Sequence, residues 1–289
     1  MSSTSIDLTW IIEHAGPWSL VLFRVLGLFL FGPMMTSSII PMQLKIAISA
    51  MVAAAVFCCV PPEFREPQVI GMMDLAPMLI TEFLIGACIG LLASLPFLAV
   101  EMAGHIMGYQ MGFSLAQAFN PALDANLNAM GSMLFYMAVT VFMYLGGMEA
   151  LFAALLGTFD RVPPGAFNPM AVPLDLFVNT LTAAFEVSIR IAGPVTGTAF
   201  TILLAMGFMM KTMPQINVMM SGFAVKIIAG TLIVLASIFV IDRVLAGFIA
   251  DVVDLAVRWA GDLGIGGYGI MESPVIGPAD SGGGVSVGR

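Results

Sequence analysis

Apolar positions fill this chain in runs too long for a soluble core. Six stretches stand out, roughly 18–40, 42–60, 76–100, 130–158, 176–210 and 223–250. A membrane-spanning helix needs about 20 consecutive apolar residues, so each stretch predicts a helical segment in lipid. The 176–210 stretch is too long for one simple span and contains Gly193-Pro194, which predicts a break or kink there. Further breakers interrupt the apolar runs at Gly32-Pro33, Pro41, Pro96 and Pro214. A broken backbone is tolerated in lipid only where protein or a water-filled cavity satisfies it. The pattern therefore predicts an all-α integral membrane protein. Its Pro/Gly-broken segments would form helical hairpins packed within a larger complex.

The polar intervals divide the chain. Residues 1–17 form a short amphipathic lead, with Trp10 and Trp18 as interfacial anchors. The 61–75 interval opens with Pro61-Pro62, and the 159–175 interval holds Pro163, Pro164, Gly165, Pro169 and Pro173; such runs mark turns. From Gly261 the chain is rich in Gly, Ser and Pro, a composition that buries no core. The expected division is one membrane domain, 1–260, and a disordered tail, 261–289.

Composition sharpens the class. Of 289 residues, 60% are hydrophobic and 10% charged, where a soluble domain carries about 25% charged residues. The net charge of −8 and the lack of a basic patch argue against nucleic-acid binding. Cys58, Cys59 and Cys88 lie in apolar stretches with no metal-site spacing and no disulfide framework. Met1–Ile6 lack the basic start of a cleavable signal peptide, so the first helix is expected to direct insertion. Arg65 and Arg161 sit beside acids and give the positive-inside rule little to count. The 24 methionines fit either irregular protein contacts or lipid-facing filler.

One segment is neither a clean membrane helix nor a polar loop: Gly104–Pro121, GHIMGYQMGFSLAQAFNP. Gly104, Gly108, Gly112 and Ala116 recur every four residues, stacking small residues on one helix face for close approach to a neighbour. His105, Tyr109, Phe113 and Gln117 fall on an adjacent face. Gln110, Ser114, Gln117 and Asn120 are costly against hydrocarbon. The segment reads as protein-buried or water-lining.

Ionisable groups inside apolar stretches are functional candidates, because burying each costs about 2.5–3.5 kcal/mol on insertion scales. They are Arg24, Lys45, Glu82, Glu101, His105, Glu186, Arg190, Lys211, Lys226, Asp242 and Arg243. Glu186–Arg190 and Glu101–His105 have the i,i+4 spacing of helix pairs, structural pins or a proton relay. Arg24 is expected to snorkel or to pair with an acid of a neighbouring subunit. No P-loop, HExxH helix or GxSxG elbow is present. Two histidines leave little for a metal site. No catalytic residue, metal or cofactor is expected.

The stretch GYQMGFSLAQAFNP resembles the signature of the FliR family of flagellar export-gate proteins, whose injectisome counterpart is the SctT family. A second block, MPQINVMMSGFAVKIIAG, is similar to the family's late pattern through Pro214, Gln215, Asn217, Gly222, Phe223, Lys226 and Gly230. A weaker block is Arg24, Pro33, Pro41 and Lys45. The resemblance covers about residues 15–255. Gln110–Gly112 and Asn120-Pro121 favour the flagellar branch, although Asn120 stands where Asp is common.

The resemblance implies a single-copy subunit of an inner-membrane export gate at the flagellar basal body. FliP and FliQ would be its co-subunits, FlhB and FlhA its neighbours, and unfolded flagellar proteins its cargo. It implies that Gly104–Pro121 is a channel plug. On that expectation Gly108 and Gly112 permit packing or bending, while Met107, Met111, Phe113 and Phe119 seal, with Gln110 and Pro121 in the same segment. Arg24, Pro33, Pro41, Lys45, Glu186, Arg190, Pro214, Gln215, Asn217, Gly222, Phe223 and Lys226 would be structural or inter-subunit positions. Lys226 is expected to make an ion pair between subunits or within a hairpin. A secondary transporter is the other class that broken helices and intramembrane charges fit, and no inverted repeat is visible.

Overall fold

The computed structural model describes residues 8–33, 41–61, 72–113, 129–163, 165–167, 172, 174–212 and 218–263. Among these the chain is all-helical. The elements are α1 (Leu8–Phe31), α2 (Met42–Cys59), α3 (Met72–Met111), α4 (Ala129–Tyr144), α5 (Gly147–Arg161), α6 (Leu174–Thr212) and α7 (Val218–Asp262). Four helices are long and apolar enough to cross a membrane, or five spans if the bent α4–α5 pair counts as one.

Two expected breakers act as boundaries. The α1 helix ends at Phe31, and the Gly32 N–H donates to the Leu28 carbonyl at 2.7 Å before Pro33. Pro41 stands at the start of α2 with φ −64°, its carbonyl accepting from the Leu44 and Lys45 N–H groups at 2.9 and 3.3 Å. The first turn needs no N–H from that residue, which is why proline is tolerated there.

Two others do not break their helices. The expected interruption at Gly193-Pro194 is absent: α6 runs continuously from Leu174 to Thr212. Similarly, α3 continues through Pro96. A mid-helix proline costs about 3 kcal/mol, but both sites are held by packing on either side. Ile191, Ala192 and Val195 are buried around Pro194, and Leu92, Leu95, Phe97 and Ala99 around Pro96. Pro214 lies outside the described residues.

The break falls instead within 130–158, read above as one segment. The chain turns by 63° between α4 and α5 at Leu145-Gly146. Gly146 has φ +70°, a conformation that costs other residues roughly 1–2 kcal/mol. The Phe142 ring fills the place where a Gly147 side chain would stand.

At the centre lies α3, which packs against α1, α4, α5, α6 and α7. In its apolar window 67% of residues are buried, against 17% in α2, 22% in α6 and 17% in α7. The last three helices therefore present most of their apolar surface outward.

Candidate functional site

Two clusters carry the polar chemistry and the sequence motifs. The first is an ionic clasp inside the helix bundle. Arg24 on α1, Glu82 on α3 and Thr158 on α5 are all fully buried. The Arg24 Nε–H donates to Glu82 Oε2 at 2.5 Å, and Arg24 Nη1 donates to Thr158 Oγ1 at 3.1 Å. Thr158 in turn donates to the Leu155 carbonyl at 2.6 Å. The second carboxylate oxygen, Glu82 Oε1, accepts the Gly165 N–H at 2.9 Å and so fastens the segment after α5 to the clasp. The guanidinium carbon lies 4.3 Å from the Phe159 ring centre, a cation–π arrangement. Arg24 thus neither snorkels nor pairs with a neighbouring subunit's acid: its carboxylate partner is in the same chain.

Glycines make the clasp possible. At Gly86 a side chain would collide with the Arg24 carbonyl, and at Gly27 with the Phe83 carbonyl. A Gly90 Cβ would lie 2.7 Å from the Leu28 carbonyl oxygen. Gly86 and Gly90 form a GxxxG spacing, which lets helix backbones touch in lipid. That motif was readable in the sequence but was not singled out.

The second cluster joins the two signature blocks. Gly104–Met111 forms the last two turns of α3. Gly104, Met107, Gly108 and Met111 are buried, whereas His105 and Tyr109 face outward and Gln110 is half-buried. At Gly104 a side chain would collide with the Gly131 backbone of α4. The helix closes with the Gly112 N–H donating to the Tyr109 carbonyl at 3.1 Å, and Gly112 turns the chain at φ +89°. A Cβ at Gly112 would lie 3.1 Å from the Phe223 ring, and one at Gly230 would lie 2.6 Å from Met111 Cγ. At Gly222 the Met206 thioether of α6 occupies the side-chain position. Gly112, Gly222, Phe223 and Gly230 thus share one contact zone, though the blocks lie about a hundred residues apart. Phe113 is half-buried against the same core.

The other expected positions scatter. Glu186 and Arg190 form the i,i+4 pair at 2.7 Å, exposed on α6. Asp254–Arg258 on α7 is a similar exposed pair, at 2.6 Å, that was not singled out from sequence. Lys45 and Lys226 are half-buried, and neither makes an ion pair among the described residues. Glu101 and His105 are exposed and also form no ion pair there. Lys211, Asp242 and Arg243 are exposed. Ala116, Phe119, Pro121, Gln215 and Asn217 lie outside the described residues. So does nearly all of the expected tail, since α7 reaches Asp262.

Apolar spans around a buried ionic clasp, with apolar side chains turned outward on α6 and α7, define an all-helical membrane protein. Residues 16–252 match the family of bacterial export proteins, family 1, and the chain belongs to that family. It is similar to the flagellar biosynthetic protein FliR of Aquifex aeolicus, 25% identical over 79% of this chain and 88% of that protein. FliR of Bacillus subtilis is 26% identical over 81% of this chain and 91% of its own length. The Yop proteins translocation protein T of Yersinia pestis is 25% identical over 72% and 80% respectively.

Proposed function

We propose that this chain is a non-enzymatic, FliR-like subunit of a flagellar type III export gate in the bacterial inner membrane. It assembles with FliP- and FliQ-like subunits around a channel for unfolded flagellar proteins, beside FlhB- and FlhA-like components. Family membership supports the export role. The observation that carries assembly is the length of exposed apolar surface on the α6–α7 hairpin.

On α6, large exposed apolar side chains run from Leu174 to Met210, a span of about 54 Å at ~1.5 Å per residue. On α7 they run from Val225 to Val240. A hydrocarbon core about 30 Å thick covers only roughly 39 Å of a helix tilted by ~40°. The remainder needs an apolar protein cover, as long helices of partner subunits provide. In this reading Lys226, half-buried in the early turns of α7 and without an ion pair among the described residues, makes an inter-subunit ion pair. Lys226→Ala should lower recovery of the assembled gate, and recovery equal to wild type would contradict that role.

In this reading Gly104–Pro121 is the channel plug, rooted in α3. Deleting Gln110–Phe119 should raise resting ion conductance across the inner membrane, and unchanged conductance would sink the plug assignment. The similarity to a Yop translocation protein keeps an injectisome subunit as the second reading. Deleting the gene separates the two: loss of motility with export otherwise intact marks the flagellar gate. The transporter alternative is left without support by the family match.

A further inference from the structure

We infer that Gly230 and Phe223 of α7 are positioning residues that hold the root of the Gly104–Pro121 segment in place while the channel works. The inference rests on reading that segment as the plug. Gly230 provides a socket for Met111, which is completely buried. Phe223 lies over Gly112, where the chain leaves the helix at φ +89°. The neighbouring turn is equally constrained, because Gly104 meets the Gly131 backbone and Met107 is completely buried. Rotating this end of α3 would drive a side chain into the α4 crossing. Withdrawing Met111 would empty a socket shaped by the missing Gly230 side chain.

The division of labour within the segment follows from these contacts. Met107 and Met111 stay in the fold and do not swing aside for cargo. The fixed part reaches at least to Gly112, which lies under the Phe223 ring. The anchor also has a support of its own. Met206 of α6 occupies the Gly222 socket one residue before Phe223, so the α6–α7 contact fixes the surface on which the root rests.

A reversible cross-link tests this. A Cβ on Gly230 lies 2.6 Å from Met111 Cγ, so the two Cβ atoms are at most about 4.1 Å apart, inside the ~3.5–4.5 Å range of a disulfide. Two cysteines also fit where one methionine stood. In assembled complexes in native membranes, with Cys58, Cys59 and Cys88 replaced by Ala, Met111→Cys/Gly230→Cys should lose its two free thiols on oxidation. Export of flagellar proteins should continue at the rate of the reduced complex. Thiols that stay free under oxidant, or export that stops on oxidation and returns on reduction, would overturn the inference.

Gly230→Met supplies a second arm. It expels Met111 from its socket and should raise resting ion conductance several-fold, with Gly230→Met/Met111→Gly restoring the seal by moving the knob across the contact. Unchanged conductance in Gly230→Met, in complexes that leak when Gln110–Phe119 is deleted, overturns the anchor. A deletion that itself fails to leak instead refutes the plug reading.

Discussion

The α1–α3–α5 bundle and the α6–α7 hairpin use the same apolar alphabet to opposite ends. In the bundle, helix backbones touch at Gly27, Gly86 and Gly90, and a buried arginine finds its carboxylate within the chain. The hairpin has small buried residues, including Ala184, Ser188, Ala192 and Ala199, on one face of α6, while Phe200, Leu204, Phe208 and Met210 face outward. Its ion pairs, Glu186–Arg190 and Asp254–Arg258, lie on the surface. One region pairs its buried charge within the chain, and the other turns large apolar side chains outward. A charge buried in the bundle must be paired within the chain, whereas an apolar side chain on the hairpin tolerates either lipid or a partner.

The contrast breaks most severely at the clasp. Glu82→Ala leaves the Arg24 charge buried without its carboxylate, and removing one member of a buried pair costs about 3–5 kcal/mol. Folded protein should fall sharply in detergent-solubilised membranes, by thermal unfolding and by yield. Survival of Glu82→Ala at wild-type stability would show that the clasp holds nothing together. Gly86→Val comes next. It forces the α1 and α3 backbones apart, with a penalty of at least the ~1–3 kcal/mol of core overpacking. Gly146→Ala tests the α4–α5 bend and should cost roughly 1–2 kcal/mol, because the site is left-handed.

The hairpin predicts smaller effects on the chain alone. Phe208→Ser should change its stability by within about 0.5 kcal/mol, yet reduce co-purification of partner subunits. A variant that destabilises the isolated chain without affecting association would reverse the comparison. Glu186→Gln should be smallest of all, since an exposed helix pair contributes about 0.3–0.5 kcal/mol.

Much of this architecture was legible in the residues. Long apolar runs predicted helices in lipid, and Gly32-Pro33 and Pro41 marked real boundaries because they sit where an end needs no further hydrogen bond. Pro96 and Pro194 do not end their helices, because local breaking tendency ignores the packing on either side of each proline. The bend at Gly146 was missed for the converse reason: uniform hydropathy hides a left-handed turn, although Gly146-Gly147 was its trace.

Arg24 and Glu82 were both recognised as costly in lipid. Their pairing across 58 positions is a tertiary fact that no local spacing carries. The signature blocks were visible separately, and only the fold shows Met111 seated on Gly230. Met107 and Met111 are completely buried, which is what the anchor inference builds on.

The central claim is that the outward apolar hairpin belongs under partner helices of an export gate. Its most direct test is to isolate the tagged chain from native membranes in mild detergent and identify by mass spectrometry what accompanies it. The account predicts FliP- and FliQ-like subunits in one stable complex, with their recovery reduced in Phe208→Ser. A chain that purifies alone and remains soluble and folded without them would contradict it.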